Sequence, residues 1–241
     1  WTYDKALEYV HKALAIDSLS VYVQLEGDIQ FAKQDYPAAL VSYEKVNRTN
    51  LASPATFFSA AKTMELMNAD PKAVLAVMDS CVAHCPQPIS ADNAPYVLER
   101  AQMNMNAGEY RSAMLDYDTY FKAVDGQVND VFYYYREQAE FKARQYQRAL
   151  DDIAKAIELN PKELTYRAEQ AVINLRVGRY EEALKVLDEV LAIDPKYAEA
   201  YRLKGICLIQ LKKQEEACAN FAKAKELGDA NVDELIKKHC K

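Results

Sequence analysis

The chain has 241 residues, half of them apolar, with only six glycines and eight prolines. That length and composition exclude a disordered chain and argue against a turn-rich β architecture. A formal net charge of −6, from 30 basic and 36 acidic residues, makes a poor phosphate-tracking surface, so no nucleic-acid partner is expected; the lack of any 18-residue apolar run predicts no membrane span.

From the N-terminus onward, one short phrase keeps returning. An aromatic residue stands three places before an alanine in Tyr3-Asp4-Lys5-Ala6, Tyr36-Pro37-Ala38-Ala39, Tyr110-Arg111-Ser112-Ala113, Tyr146-Gln147-Arg148-Ala149 and Tyr180-Glu181-Glu182-Ala183. Asp70-Pro71-Lys72-Ala73 and Gln214-Glu215-Glu216-Ala217 are degenerate copies. The alanines Ala6, Ala39, Ala73, Ala113, Ala149, Ala183 and Ala217 are 33, 34, 40, 36, 34 and 34 residues apart. A period near 34 with helical patterning marks an array of helix pairs. Each alanine begins a helix whose buried face continues four and seven places on, as in Ala183, Leu187 and Val190. These helices stop at Ile16-Asp17-Ser18, Leu159-Asn160-Pro161, Ile193-Asp194-Pro195 and Leu227-Gly228.

A partner helix precedes each alanine after the first. The spacing predicts Val21 to Ala32, Thr56 to Met67, Pro95 to Asn106, Val131 to Ala143, Leu164 to Val177 and Ala198 to Leu211, with Gly205 allowing close packing. At the degenerate third turn, Asp70 as N-cap and Pro71 at the first helical position give a good helix start. Two joints exceed the period. Pro86 to Asn93 reads as a loop insertion or a ligand-contacting loop, and Asp125 to Asn129 is a smaller excess. At the end, Val232, Leu235, Ile236 and His239 form one stripe on a short helix, with Asn231 and Glu234 resembling a capping box. Such a segment fits a cap over the last apolar face. The first unit has its second helix only, so residues are expected before Trp1.

The phrases Tyr201-x3-Gly205-x11-Ala217-x3-Phe221-x2-Ala224 and Gly178-Arg179-Tyr180-x2-Ala183-x11-Asp194-Pro195 resemble the tetratricopeptide repeat. The resemblance implies an all-α, right-handed superhelical solenoid of antiparallel helix pairs with a C-terminal capping helix. It implies a single domain over 1–241, with units near 1–19, 20–53, 54–87, 94–127, 130–163, 164–197 and 198–231, and the cap at 231–240. The fourth unit has Ala101 at the first-helix glycine position, and the fifth has Glu137, which predicts looser or altered packing there.

Signs of chemistry are sparse. No phosphate loop, HExxH, GxSxG or paired-carboxylate signature occurs. Cys81-Val82-Ala83-His84-Cys85 shares a helical face but lacks a fourth zinc ligand, so buried cysteines and a helix-end histidine are expected instead. Five cysteines show no disulfide-framework spacing, and Cys207 and Cys218 read as small apolar residues. His11 reads as solvated. Asp151-Asp152, Glu181-Glu182 and Glu215-Glu216 read as helix-start charges. No catalytic residue, cofactor or metal is therefore expected.

In tetratricopeptide arrays the first helices line the concave groove. By resemblance the inward positions here are Gln24 and Asp28, Phe58 and Lys62, Leu98, Gln102 and Met105, Tyr134, Gln138 and Phe141, and Ala168, Val172 and Arg176. A lysine-asparagine carboxylate clamp is not supported, because Gln24, Asp28, Ser59, Pro95 and Glu99 stand at its places. The expected function is a non-catalytic scaffold that binds a protein or peptide partner through Leu98, Gln102, Met105, Tyr134, Gln138, Phe141 and Arg176. Aromatic anchors flanked by amides suit an extended segment. Within Phe132-Tyr133-Tyr134-Tyr135, core packing and ligand contact by Tyr134 or Tyr135 are both open. The alternatives are carbohydrate or small-ligand binding through the tyrosines, or a regulatory part of a larger enzyme.

Overall fold

Amphipathic segments of 12 to 14 residues cannot bury their apolar stripe alone, so they fold as pairs. The computed structural model describes residues 2–240, and among these every regular element is helical. The helices are α1 (Tyr3–Ile16), α2 (Ser20–Ala32), α3 (Tyr36–Asn47), α4 (Pro54–Leu66), α5 (Pro71–Ala83), α6 (Ala94–Ala107) and α7 (Tyr110–Ala123). They continue with α8 (Asp130–Lys142), α9 (Tyr146–Leu159), α10 (Leu164–Arg176), α11 (Tyr180–Ile193), α12 (Ala198–Gln210), α13 (Gln214–Glu226) and α14 (Asp233–His239). They fall into two compact units, residues 1–127 and 128–241. In the first, the hairpins are α2–α3, α4–α5 and α6–α7; in the second, α8–α9, α10–α11 and α12–α13.

Every hairpin turn uses the same backbone device. One residue takes the left-handed conformation: Gln34, Asn68, Gly108, Arg144, Gly178 and Lys212. The next N–H then reaches back to the first helix, as Arg179 N does to Asn174 O at 2.8 Å and Gln145 N to Glu140 O at 2.7 Å. These are six-to-one helix-ending bonds, which satisfy carbonyls the helix leaves free.

The alanine seam is buried in five of the seven copies, the degenerate Gln214 copy among them, whereas Ala6 is half-buried. Ala39, Ala113, Ala149, Ala183 and Ala217 are fully buried. The third copy departs from it. Ala73 is exposed, and Val74, Met78 and Cys81 are buried instead. Asn68 takes the left-handed place and Asp70 caps α5, accepting from Ala73 N at 3.3 Å. One extra turn residue, Ala69, thus shifts the helix register by one. The expected start at Asp70 and Pro71 stands, but the packing residue is Val74.

The loop before α6 is tied down by Ile89, which packs with Val82, Cys85 and Val97. At the C-terminus α14 lays Val232, Leu235 and Ile236 on Phe221 and Ala224. The expected Asn231 capping box is absent: α14 starts after Val232 without a side-chain cap, and Asn231 N bonds Asp229 Oδ1. Cys218 is not simply a small apolar residue either, because it is disulfide-bonded to Cys240. Cys81, Cys85 and Cys207 are free and buried. The bridge closes a 22-residue separation, and loops of that size stabilise by about 3 kcal/mol. Cys240→Ser is expected to lower the urea midpoint of wild type under oxidising conditions and to change nothing once the wild type is reduced.

Candidate functional site

The open faces of the first helices sit on top of well-buried packing residues. On α6, Val97, Ala101 and Asn104 are buried, while the adjoining row holds half-buried Leu98, exposed Gln102 and half-buried Met105. Gln102 Nε2 donates to Asn106 Oδ1 at 3.5 Å, a loose contact. Below them a clamp fixes α6 on α7. Arg100 donates to both Asp116 oxygens, at 3.0 and 2.6 Å, and Asn104 Nδ2 adds a third bond at 3.0 Å. Burial pushes the Asp116 carboxyl above its usual range despite these donors.

In the second unit the same repeat positions on α8 are Tyr134, Gln138 and Phe141, each half-buried. Tyr134 stacks on Tyr166 with centroids 5.2 Å apart and packs on the cluster of Ala149, Ile153, Ala156 and Ile173. Tyr134 is therefore part core and part surface, and Tyr135 is the more open ring at 38% exposure. Phe141 packs edge-on to Tyr146 at 5.7 Å, and the Arg176 guanidinium lies 6.0 Å from its centroid. So Phe141 and Arg176 come together in one small cluster, and Tyr134 with Gln138 in another. Of the other inward positions, Ala168 is buried, Lys62 is paired with Glu65 and Glu99, and Asp28 accepts the Tyr43 hydroxyl. The α6 and α8 positions lie in separate units.

The clamp recurs as Arg136 on Asp152, at 2.6 and 2.8 Å. Asp152 is thus a buried ion-pair partner midway along α9 rather than a helix-start charge; Glu181, Glu182, Glu215 and Glu216 do occupy first turns. An Arg and an Asp sixteen residues apart in two hairpins was a legible signal that the sequence reading passed over.

Glu137 is the outlier of the second unit. It stands where the other hairpins place Gly27, Ala61, Ala101, Ala171 and Gly205, yet it is only 1% exposed. Its Oε2 has no hydrogen-bond partner. Burial first, then the carboxylates of Glu169, Glu140 and Asp152, push its carboxyl up to about 8. Packing at this place is altered but not loose: Ile153 opposite is fully buried.

The remaining flagged residues are structural. Cys81 Sγ lies 3.1 Å from Pro54 O, and burial pushes its thiol up to about 12. His84 ends α5, contacts Ser80 O through Nδ1 at 2.7 Å and stacks on Phe57 at 4.5 Å. His11 is not merely solvated, since Nε2 meets Glu26 Oε1 at 2.9 Å. No group of three metal-ligating side chains occurs among the described residues, nor is any helix among them long and apolar enough to cross a membrane.

Residues 138–198 and 174–227 match two families described as tetratricopeptide repeat. Residues 138–227 carry tetratricopeptide repeats. A TPR repeat-containing protein of Methanocaldococcus jannaschii is 24% identical over 202 residues, 79% of this chain and 34% of its own length. Human DnaJ homolog subfamily C member 7 is 28% identical over 100 residues, 41% of this chain and 20% of its own length. The chain therefore spans about a third or less of the length of these curated relatives. Among solved structures, YrrB, described as a TPR protein with an unusual peptide-binding site, superposes with a TM-score of 0.60 at 20% identity. It covers 81% of this chain and 97% of its own. A tetratricopeptide repeat protein from Parabacteroides merdae gives 0.53 at 16% identity, covering 99% and 93%. These likenesses establish the helix-pair TPR fold.

Proposed function

We propose that this TPR chain is a non-catalytic interaction scaffold that holds an extended peptide or partner segment on the open faces of its first helices. The observation that carries the reading is a row repeated at one spacing: Leu98, Gln102 and Met105 on α6, and Tyr134, Gln138 and Phe141 on α8. Each row puts an apolar side chain on either side of a glutamine. The apolar groups supply contact area, and the amide both donates and accepts, as an unpaired peptide backbone requires. YrrB, of the same fold, is described as having an unusual peptide-binding site. Arg176 sits over Phe141 and adds a cation beside the second row, suited to a partner carboxylate.

The test uses peptides selected on the wild-type chain from a random display library. Leu98→Ala with Gln102→Ala is expected to weaken such a peptide by roughly 2 kcal/mol, about thirtyfold, as truncation of a central anchor does. The variant should stay folded with only a small drop in melting temperature, because Gln102 is exposed and Leu98 is half-buried rather than core. Gln138→Ala is the matching change in the second unit; Tyr134→Ala is unsuitable, since it also removes the Tyr166 stack. Selected peptides that bind both variants with wild-type affinity would refute the proposed face.

A further inference from the structure

A recess of one kind opens in each unit, where a hairpin turn meets the end of the next first helix. Between the α4–α5 turn and α6 it is a cavity of about 460 Å³, with Glu65, Asn68, Pro71 and Asn106 in its lining. Between the α8–α9 turn and α10 it is a cavity of about 380 Å³, lined by Phe141, Lys142, Arg144, Tyr146 and Arg176. The left-handed turn residues Asn68 and Arg144 fix the correspondence. Once the extra Ala69 is allowed for, Phe141 takes the place of Glu65, Tyr146 of Pro71 and Arg176 of Asn106. The recess belongs to the repeat, and its rim decides what it can hold.

In the second unit that rim is cationic. Lys142, Arg144 and Arg176 bring three positive charges to one cavity, in a chain of formal net charge −6. Among the described residues none of the three enters an ion pair, whereas Arg136 and Arg148 of the same hairpin are held by Asp152 and Glu140. Lys142 is felt by the Glu169 carboxyl but closes no bridge to it. The Arg176 guanidinium lies 6.0 Å from the Phe141 centroid, and Phe141 packs in turn on Tyr146, so this cation has an aromatic wall to rest on. Arg144 holds its cation at the recess from a backbone with φ of 63°, a conformation that the α6–α7 and α10–α11 turns give to Gly108 and Gly178.

We propose that this recess between α8, α9 and α10 is an anion site for a phosphorylated serine or threonine of a partner polypeptide. The charge count selects the class. A phosphate ester carries nearly two negative charges at neutral pH and offers three acceptor oxygens, which three separate cations can share. Two of those cations are guanidinium forks, suited to paired phosphate oxygens. A carboxylate brings one charge and two oxygens, enough for Arg176 alone. A nucleic acid would need cations continuing along its backbone, and an acidic chain does not supply them. The Phe141 and Tyr146 rings pack on each other at the apolar side, leaving the charged side for a phosphoryl group on a short stem. Phe141 also ends the α8 row, so the inference rests on the partner-segment reading and adds to it the chemistry of one residue of that segment.

The test is a titration of the wild-type chain with an acetylated and amidated heptapeptide that carries one phosphoserine among alanines, followed by amide chemical shifts. Shifts are expected at residues 142–146 and 176–179. The serine version should give none, and the glutamate version should bind at least about tenfold more weakly. Inorganic phosphate shares the dianion but lacks peptide flanks, and is expected to bind more weakly than the phosphopeptide. The double variant Arg144→Gly with Arg176→Gln installs residue types that Gly178 and Gln210 supply at these places in other hairpins. It should lose phosphopeptide affinity by at least about tenfold, with its remaining spectrum unchanged. Should it perturb the fold, Lys142→Gln alone is expected to weaken binding about threefold. Peptides selected without phosphorylation report the α8 row through Gln138→Ala, so failure of either reading is seen separately. Absence of shifts at these amides, equal binding of the glutamate peptide or of inorganic phosphate, or undiminished binding by a folded variant would overturn the assignment.

Discussion

Phe221→Ala is expected to cost about 3–5 kcal/mol, the largest stability loss of any single truncation in the last hairpin. The ring is fully buried among Leu208, Ala217, Ala224 and Val232. It lies flat against the backbone of α12 at Gly205: a Cβ added there would meet the ring at 2.3 Å. The same arrangement recurs at Gly27, where a Cβ would come within 2.8 Å of Tyr43. Gly205→Ala alone is therefore expected to cost about 1–3 kcal/mol by overpacking. The neighbouring hairpin shows how the pair can be exchanged, because it holds Ala171 and Leu187 at these two places, both buried. Gly205→Ala combined with Phe221→Leu should thus lose less than the two single changes added together. Urea unfolding of the four proteins in the cycle checks this. Additive losses would mean that the glycine and the ring are not coupled.

Glu137 gives the second large effect, and it is read as a pH dependence. The groups facing the carboxyl are Glu140 on α8, Asp152 on α9 and Glu169 on α10, with Arg136 and Arg148 already engaged by Asp152 and Glu140. The folded value is raised, from 4.5 to about 8. At pH below the unfolded value the residue is protonated in both states and imposes no electrostatic penalty. As pH rises from about 4.5 to about 8, only the unfolded chain releases the proton, so stability is lost through that window and levels off above it. At about 1.4 kcal/mol per pH unit the full loss is on the order of 5 kcal/mol. Glu137→Gln cannot ionise and keeps nearly the same shape. It should be more stable than wild type at pH 8.5, by a margin that narrows toward pH 5, as read from urea midpoints across that range. Asp116 and Glu169, both raised chiefly by burial, leave a residual slope in the variant. An unchanged pH profile in Glu137→Gln would show that this carboxyl is ionised in the folded state.

Much of this architecture was legible in the sequence because period and packing share one cause. A small residue every 34 or so positions marks where two helices touch: Ala39, Ala113, Ala149 and Ala183 are buried as the phrase implies, so is Ala217 of a degenerate copy, and Ala6 is half-buried. The third copy misled for a physical reason. One additional residue in the turn moved the buried face from Ala73 to Val74, and a phrase aligned on Asp70-Pro71 cannot register an insertion just before it. The Cys218–Cys240 bridge was hidden because its partners lie on different elements, α13 and the residue after α14, with no motif spacing. Glu137 was visible as an odd occupant of a glycine position, but its burial depends on neighbours from three helices. The open rows on α6 and α8 were legible only through the resemblance, since exposure of one helix face depends on what the rest of the array leaves uncovered.

The most direct test of the partner-scaffold account is a hydrogen-exchange footprint of a library-selected peptide bound to the wild-type chain. The account predicts slowed exchange on a first-helix row, in α6 around residues 98–105 or in α8 around residues 134–141, with α7 and α9 unchanged. Protection confined to the second helices, or to α1 and α14, would contradict it.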